Sequence, residues 1–434
     1  MSQTLTQRPF LAKLTIAEAF ESLLREPVPL RVTAYDGSAA GPEDAPYRFH
    51  IATERGLSYL MSSPDPDLGL GRAYVSGDLQ LSGAHPGDPY DALVVLKTGI
   101  KFRRPTPSEL VNLVRSLGVN HLVPPPPPPE EAPSRARRVF EGVRHSLRRD
   151  AEAISHHYDV SNRFYELVLG PSMTYTCAVF PHEAATLEEA QAAKYDLVAR
   201  KLDLRSGQRL LDVGCGWGGM VRHAAKEYGV KALGVTLSRQ QAEWAQQEIK
   251  RQGLDDLAEV RHLDYRLVEE GDFDAVSSIG LTEHIGVRNY PSYFGFLKDK
   301  LKPEARLLNH CITRANNQQS TRTGEFIDRY VFPDGELAAP GRLVSAVHDA
   351  GLEVHDVENI RFHYARTLAG WCANLAEHWD ECVAEVGENT CRVWGLYMAA
   401  SRLAFERNEI QLHHILAAKV GDDGSNGFPL RPTW

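Results

Sequence analysis

Long apolar runs are missing from this 434-residue chain: no stretch approaches the ~18 uninterrupted apolar residues of a membrane span. The opening segment MSQTLTQRPFLAKL has no apolar core and no small-residue cleavage site, which argues against a signal peptide. Cysteine is scarce and scattered. Its six occurrences, at 177, 215, 311, 372, 382 and 391, form no C-x-x-C pair. That spacing argues against a zinc knuckle or a disulfide framework and makes a reducing cytosol the default compartment. An excess of positive charge is also missing. The net charge of −9 argues against bulk nucleic-acid binding. With 43% hydrophobic and 24% charged residues the chain is neither disordered nor collagen-like, and its length suggests two or three domains.

Charge is unevenly placed. Residues 97–150 carry eleven Lys/Arg against five Asp/Glu, a local +6 that leaves −15 for the rest. Such a segment is either a solvated linker or a face for anionic lipid, where each well-placed Lys/Arg contributes about 1 kcal/mol. Arg135, Arg137, Arg138, Arg144, Arg148 and Arg149 form its densest part.

Six consecutive prolines, Pro124 to Pro129, are the strongest punctuation. A run of this kind is a stiff polyproline spacer, neither helix nor inner strand. It implies an N-terminal α+β unit over 1–120, a proline-rich and basic linker over 121–150, and a larger unit over 151–434. In the first unit, 15–25 reads as helix, and LRVTAYDG and YRFHIATERGLSYLM read as strands. In the last, RLLDVGCG, KALGVTL, AEVRHLD, DAVSSIG and ARLLNHCIT read as strands separated by helical patterns. That alternation predicts an α/β fold, an open doubly wound parallel sheet of Rossmann type with helical additions. The last hundred residues read as helices. Leu368, Trp371, Cys372, Leu375 and Trp379 recur there at helical spacing, a pattern of core rather than of a site.

The first strand of the large unit runs into Gly214-Cys215-Gly216-Trp217-Gly218-Gly219. Glycines at a strand-to-helix turn let the backbone approach a ligand at the carboxyl edge of the sheet. The spacing G-x-G-x-G-G is not the dinucleotide G-x-G-x-x-G. Some 20 residues on, the next strand ends in Thr236 rather than in the acid that a nicotinamide site places on ribose. NAD is therefore the lesser reading. Asp212, just before the first glycine, is placed to meet a positive group.

The run L-D-V-G-C-G-W-G resembles the motif of S-adenosylmethionine (SAM)-dependent methyltransferases. More narrowly, the chain resembles the cyclopropane-fatty-acyl-phospholipid synthases, which include the mycolic-acid cyclopropane synthases. The resemblance rests on His157-Tyr158-Asp159-Val160-Ser161-Asn162, Tyr175-Thr176-Cys177-Ala178, the glycine turn, Gly234-Val235-Thr236-Leu237-Ser238, Gly280-Leu281-Thr282-Glu283-His284-Ile285-Gly286, and Tyr364 in His363-Tyr364-Ala365-Arg366. It covers most of 153–419 and, more loosely, the N-terminal unit. It implies that Tyr175 and Thr176 line the methionine end of SAM and that Gly214 and Gly216 give the close backbone approach. Thr236, Leu237 and Gln241 would surround ribose and adenine, with Asp264 and Tyr265 at the adenine. Taken alone, Thr236 and Leu237 also suit a strand end leading into a helix capped by Ser238.

An isolated alkene is an uncharged, poor nucleophile. When it takes a sulfonium methyl, positive charge moves onto the acyl chain, and the site must hold a cation, remove one proton and exclude water. Glu283 follows the strand through 274–280, and His310 lies 27 residues later in the next strand. Adjacent parallel strands would bring them together. The resemblance implies that Glu283, His310, Tyr364 and the backbone of Cys177 hold a bicarbonate ion that serves as base. The adjacent pairs His156-His157 and His413-His414 splay to opposite faces of a regular element and make poor metal ligands, so no metal is expected.

The family's usual form near the glutamate is closer to G-M-F-E-H-V-G; here Leu281 and Thr282 replace Met-Phe. Phe332-Pro333-Asp334-Gly335 has Asp where a second glycine is usual. The stretches PSMTYTCAVFP, SSIGLTEHIGVRNYP and RVWGLYMAASRLAFE resemble an actinobacterial branch that makes 10-methylene acyl chains, which a separate flavoprotein reduces to 10-methylstearate. The expected activity is therefore methylation of the double bond of an unsaturated, oleoyl-type phospholipid chain to a 10-methylene product, with cyclopropane formation as the alternative. A small-molecule methyltransferase and a non-catalytic lipid-binding protein are the other readings. A cytoplasmic enzyme that docks transiently on anionic membrane, and a homodimer, complete the expectations.

Overall fold

The computed structural model describes residues 13–26, 29–133 and 161–434. The Arg cluster of 135–149, the pair His156-His157 and the motif residues Tyr158, Asp159 and Val160 fall outside them. The chain forms two compact units, one up to Glu131 plus Gly387–Ala400, the other Ala132–Val386 plus Ser401–Trp434.

The first unit holds a four-stranded sheet: β1 (Leu30–Ala34), β2 (Ala39–Ala40), β3 (Tyr47–Ile51) and β4 (Leu79–Ser82), in the order β2-β1-β3-β4. β1 and β3 are parallel, and the outer pairs are antiparallel. Leu30, Val32 and Ala34 alternate inward along β1 and pack with Phe49, Leu57, Tyr59 and Tyr74. The run 47–61 is not one strand. Thr53 accepts from Gly56 N (3.1 Å) and starts helix Glu54–Ser62, so the period changes from two to helical within the run.

The proline run is anchored rather than a free spacer. Tyr59 Oη donates to Pro126 O (2.6 Å), His121 pairs with Ser58 (2.7 Å), and Arg72 forks both oxygens of the fully buried Glu131 carboxylate at 2.6 Å. Polyproline has no internal hydrogen bonds, so its carbonyls are open to such partners. Residues 121–131 therefore belong to the first unit, as does 387–400, which the sequence pattern had placed in the large unit.

The second unit is a seven-stranded sheet ordered β10-β11-β9-β8-β5-β6-β7. The strands are β5 (Arg209–Val213), β6 (Lys231–Thr236), β7 (Ala258–His262), β8 (Phe273–Ile279), β9 (Leu301–Arg314), β10 (Glu353–Asn359) and β11 (Ile410–Ala418). Neighbours from β9 through β7 are parallel. Both faces are covered: Leu211, Val276 and Leu307 pack on one side, and Leu210, Ala275 and Leu308 on the other. β11 runs antiparallel to both β9 and β10, so the sheet is mixed rather than wholly parallel. These last two strands lie in the region read as helical. β10 alternates half-buried and exposed polar residues, and β11 is introduced by no glycine turn. From β5 the chain moves one way to β6 and β7, then returns to β8 and β9 on the other side. That reversal opens a crevice at the carboxyl ends of β5 and β8, where such sheets bind ligands.

Candidate active site

The crevice is built from the turns that leave β5, β6 and β8. Gly214, Gly216 and Gly218 all have left-handed φ, at 78°, 55° and 71°. Gly214 N and Cys215 N both donate to Val235 O, at 2.9 and 3.0 Å, which ties the turn to β6. A Cβ on Gly214 would lie 3.0 Å from Leu281, whereas one on Gly216 would meet nothing within 4 Å. Gly216 borders two adjoining hollows. The first is lined by Thr236, Leu237, Gln241, Tyr265, Leu281 and His284. The second is lined by Tyr175, Thr176, Lys194, Asp212, Trp217 and again Gln241. Together they form one elongated cradle that a side chain at 216 would enter.

Polar groups along the cradle are fixed by short bonds. Thr236 Oγ1 donates to Gln241 Oε1 (2.8 Å) and accepts from Ser238 N (3.2 Å), while Ser238 Oγ accepts from Gln241 N (3.3 Å). The helix cap and the lining role of Thr236 thus coexist. Asp212 is buried and accepts from Ser277 Oγ (2.6 Å); burial raises its carboxyl to about 6. Lys194, also buried, donates to Thr176 Oγ1 (3.0 Å), and desolvation lowers its ammonium to about 7. Tyr265 packs edge-on against Tyr293 and Phe296. Asp264 is buried beside the cradle but does not line it; its carboxylate is engaged by Arg266 at 2.7 Å. Arg266 itself lines the hollow.

The loop after Tyr175 meets helix Arg361–Glu377. Glu283 is buried; its Oε1 accepts from Ile312 N on β9 (2.7 Å), and burial raises its carboxyl to about 7. His310, two residues back on β9, bonds through Nδ1 to His414 Nε2 (2.9 Å), and burial keeps it well below the usual histidine range. Glu283 Oε2 and His310 Nε2 are buried with no hydrogen-bond partner among the described residues. Leaving such atoms unsatisfied costs about 1–3 kcal/mol each, so they mark a place for a polar guest. Ala178 N donates to Thr367 Oγ1 and Phe180 N to His363 Nδ1, both at 3.0 Å, which seats Cys177 beside the helix of Tyr364. The Cys177 thiol is fully buried and its pKa is pushed far up, so it is no nucleophile at neutral pH.

A cluster of aromatic rings includes Tyr175, which lines the cradle. The Tyr175 centroid lies 5.4 Å from Trp371, 6.0 Å from Tyr165 and 6.4 Å from Phe332. Tyr364 lies 6.0 Å from Trp371 and 4.7 Å from Phe405. Their faces present partial negative charge to a cation in a water-poor setting.

A family profile described as mycolic acid cyclopropane synthetase matches residues 145–415. The chain belongs to that family. Among its relatives is a Mycobacterium tuberculosis protein named "Probable fatty acid methyltransferase Rv3720", 61% identical over 406 residues, covering 94% of this chain and 95% of that one. The cyclopropane-fatty-acyl-phospholipid synthase of Escherichia coli K12 is 33% identical over 268 residues, 62% of this chain and 68% of that one. Among solved structures, the mycolic acid cyclopropane synthase CmaA1 complexed with SAH and CTAB aligns with a TM-score of 0.58 and 31% identity over 62% of this chain and 97% of that one. This member of the cyclopropane synthetase family is a SAM-dependent methyltransferase, and its sheet is that of the class I enzymes.

Within this SAM-dependent methyltransferase, the expected SAM residues Tyr175, Thr176, Asp212, Gly214, Gly216, Thr236, Leu237, Gln241 and Tyr265 line one cradle, and Asp264 is engaged by Arg266. The departures from the family pattern also find places. Leu281 lines the cradle beneath Gly214, and Thr282 Oγ1 donates to Asn309 Oδ1 (2.6 Å). Asp334 has φ 64°, which explains a glycine as the usual occupant; Asp is among the few other residues that tolerate it. Sequence patterns missed Lys194, His414 and Trp371. Lys194 belongs to no motif, His414 stands out only as half of an adjacent histidine pair, and Trp371 has core spacing while also packing against Tyr175.

Proposed function

We propose that this enzyme methylates the double bond of an unsaturated phospholipid acyl chain, giving a 10-methylene chain. The observations that support it are two buried polar atoms without a partner among the described residues, Glu283 Oε2 and His310 Nε2, and a cluster of aromatic rings, Tyr175, Trp371, Tyr364 and Phe405, of which Tyr175 lines the cofactor cradle. A polar small-molecule nucleophile would need no such cluster. Gly216, with open space where a Cβ would go, fits SAM. When bound, SAM supplies an electrophilic methyl group. The aromatic faces and the Glu283 carboxyl stabilise positive charge on the acyl chain after the new C–C bond forms. Glu283, His310, Tyr364 and the Cys177 backbone would hold a bicarbonate ion, which would act there as a base. A carboxyl with pKa about 7 can carry the proton that lets an anion lie beside it.

The family relationship to a named cyclopropane synthase makes ring closure the second reading. Loss of a proton from the new methyl with ring closure gives a cyclopropane; a 1,2-hydride shift before that loss gives the exo-methylene chain. Both add 14 mass units to an oleoyl chain. Gas chromatography–mass spectrometry of lipids from cells expressing the protein is expected to show the 10-methylene chain. A ring product would select the second reading, and unchanged lipids would overturn both. A methylene product would be the substrate for a separate flavin-dependent reduction.

The acyl double bond lies within a bilayer, so the enzyme must dock on one. No helix among the described residues is long and apolar enough to cross a membrane. The first unit exposes Phe102, Leu110, Val111, Val119, Leu122 and Val123 on a stretch whose residues 97–123 hold five Lys/Arg against one Glu. Exposed apolar side chains interspersed with basic ones, of which Lys97, Lys101 and Arg103 pair with Asp67, Glu26 and Glu109, suit a phospholipid surface. Val111→Asp with Val119→Asp is expected to weaken binding to anionic vesicles about tenfold or more, since each buried Val contributes roughly 1.5–3 kcal/mol. Added salt should weaken the wild type as well. Unchanged vesicle affinity with altered oligomeric state would instead assign the patch to a second copy of the chain.

A further inference from the structure

We propose that Lys194 receives the carboxylate of SAM, with Asp212 as the partner of its α-ammonium, and so sets which end of the cofactor lies in which hollow. The inference rests on the SAM dependence of the family and is independent of the acyl product. The two hollows differ in chemistry. Leu237, Leu263, Tyr265, Leu281 and Ile285 give the first a largely apolar lining. Arg266 also lines it, but the Asp264 carboxylate already holds that guanidinium at 2.7 Å. The second hollow carries one cation and one anion, Lys194 and Asp212. SAM is divided in the same way. Adenine, planar and uncharged, forms one end, and an amino acid whose ammonium and carboxylate need partners of opposite sign forms the other.

Lys194 is a costly residue where it stands. It is 0% exposed on helix Leu187–Lys201, whose Ala190, Leu197 and Val198 are buried as well. Its Nζ donates to the neutral Thr176 Oγ1 (3.0 Å) and lies 3.7 Å from the ring centroid of Tyr195. An ammonium carries three donors, so hydrogen-bonding capacity is left over. No carboxylate among the described residues forms an ion pair with it; Asp212 acts on it at longer range. Burial holds the Cys177 thiol and the His223, His310 and His414 rings neutral, so none of these supplies a countercharge. A buried cation without a matched anion destabilises the fold unless a ligand supplies one.

Holding the 174–176 loop does not require this charge. Gln191, one turn earlier on the same helix, donates through Nε2 to Thr176 O (2.9 Å), and Tyr195 Oη pairs with Thr174 Oγ1 (2.9 Å). An apolar residue at 194 would suit the buried face of the helix. What it could not do is meet an anion in the second hollow. The carboxylate of SAM is such an anion, and an ammonium beside it makes a charge-assisted hydrogen bond in a setting that water screens little.

The test is titration calorimetry on the full-length protein with SAM and with decarboxylated SAM, which keeps the adenine, the sulfonium and the amine. The wild type is expected to bind SAM about tenfold to a hundredfold more tightly than decarboxylated SAM, the range for a hydrogen bond to a charged group. Lys194→Met should lose a similar factor for SAM and change little for decarboxylated SAM, so that the variant no longer distinguishes the two. Lys194→Gln keeps a donor for Thr176 Oγ1 without the charge; it should give the same pattern and serves as the second variant should Lys194→Met fold poorly. An equal loss of affinity for both compounds would make Lys194 a strut for the Thr176 loop and overturn the proposal. Unchanged SAM affinity in either variant, or a wild type that binds both compounds equally, would overturn it as well. A wild type that binds neither compound would overturn the cofactor assignment and the proposal with it.

Discussion

Glu283→Gln is expected to lower turnover on phospholipid vesicles by at least about two orders of magnitude, the usual size of one lost electrostatic contact in a preorganised site. The substitution keeps the size of the side chain and can keep the acceptor for Ile312 N, so the strand end should not move. What it removes is the ionisable group that burial holds near pH 7. SAM affinity should change little, because Glu283 lines neither hollow of the cofactor cradle. Calorimetry with SAM and a vesicle turnover assay separate the two effects. Near-normal turnover would remove Glu283 from the mechanism. Loss of SAM binding in parallel would make it a structural residue.

The second large effect is at the turn. Gly216→Val is expected to reduce SAM affinity more than about a hundredfold while the protein stays folded. With φ at 55°, a β-branched residue there costs roughly 1–3 kcal/mol, which a protein of ordinary stability tolerates. The added Cβ meets no protein group within 4 Å, so the side chain is expected to extend into the cradle. Gly253→Val is the control. Its φ is 68°, its surroundings are equally open, and it lines neither hollow. Equal loss of affinity in both variants would mean that backbone strain, not occlusion, is responsible.

Much of the site was legible in the chain because it lies on local signals. Gly214 and Gly216 stand at a strand-to-helix turn, and Thr236 ends the next strand, so short motifs encode them. Glu283 follows β8, and His310 lies on the adjacent parallel strand β9 opposite Ile279, the last residue of β8, so both reach the same edge of the sheet. His414 was not legible as the partner of His310. Its partner lies 104 residues away, and no local pattern says that β11 enters the sheet beside β9. The same gap hid the mixed character of the sheet. Lys194 was missed because no motif marks it, and only the fold turns that position inward against Thr176. The proline run misled for a different reason. Composition shows its stiffness, but not that Tyr59 and Arg72 fasten it and Glu131 to the first unit.

The placement of 387–400 and of β11 bears on how the chain reaches its native state. Between β10 and β11 the chain contributes a segment to the first unit, and then supplies the strand that joins β9 to β10. Neither unit is complete when synthesis passes the prolines. Until residues 410–418 emerge, β9 has an open edge and β10 has no partner in the sheet. Loop-closure entropy over such separations slows folding and leaves strand edges exposed meanwhile. The proline run is thus no place to cut the protein in two: a fragment ending there lacks part of its own core, and its complement must fold while still carrying a piece that belongs elsewhere.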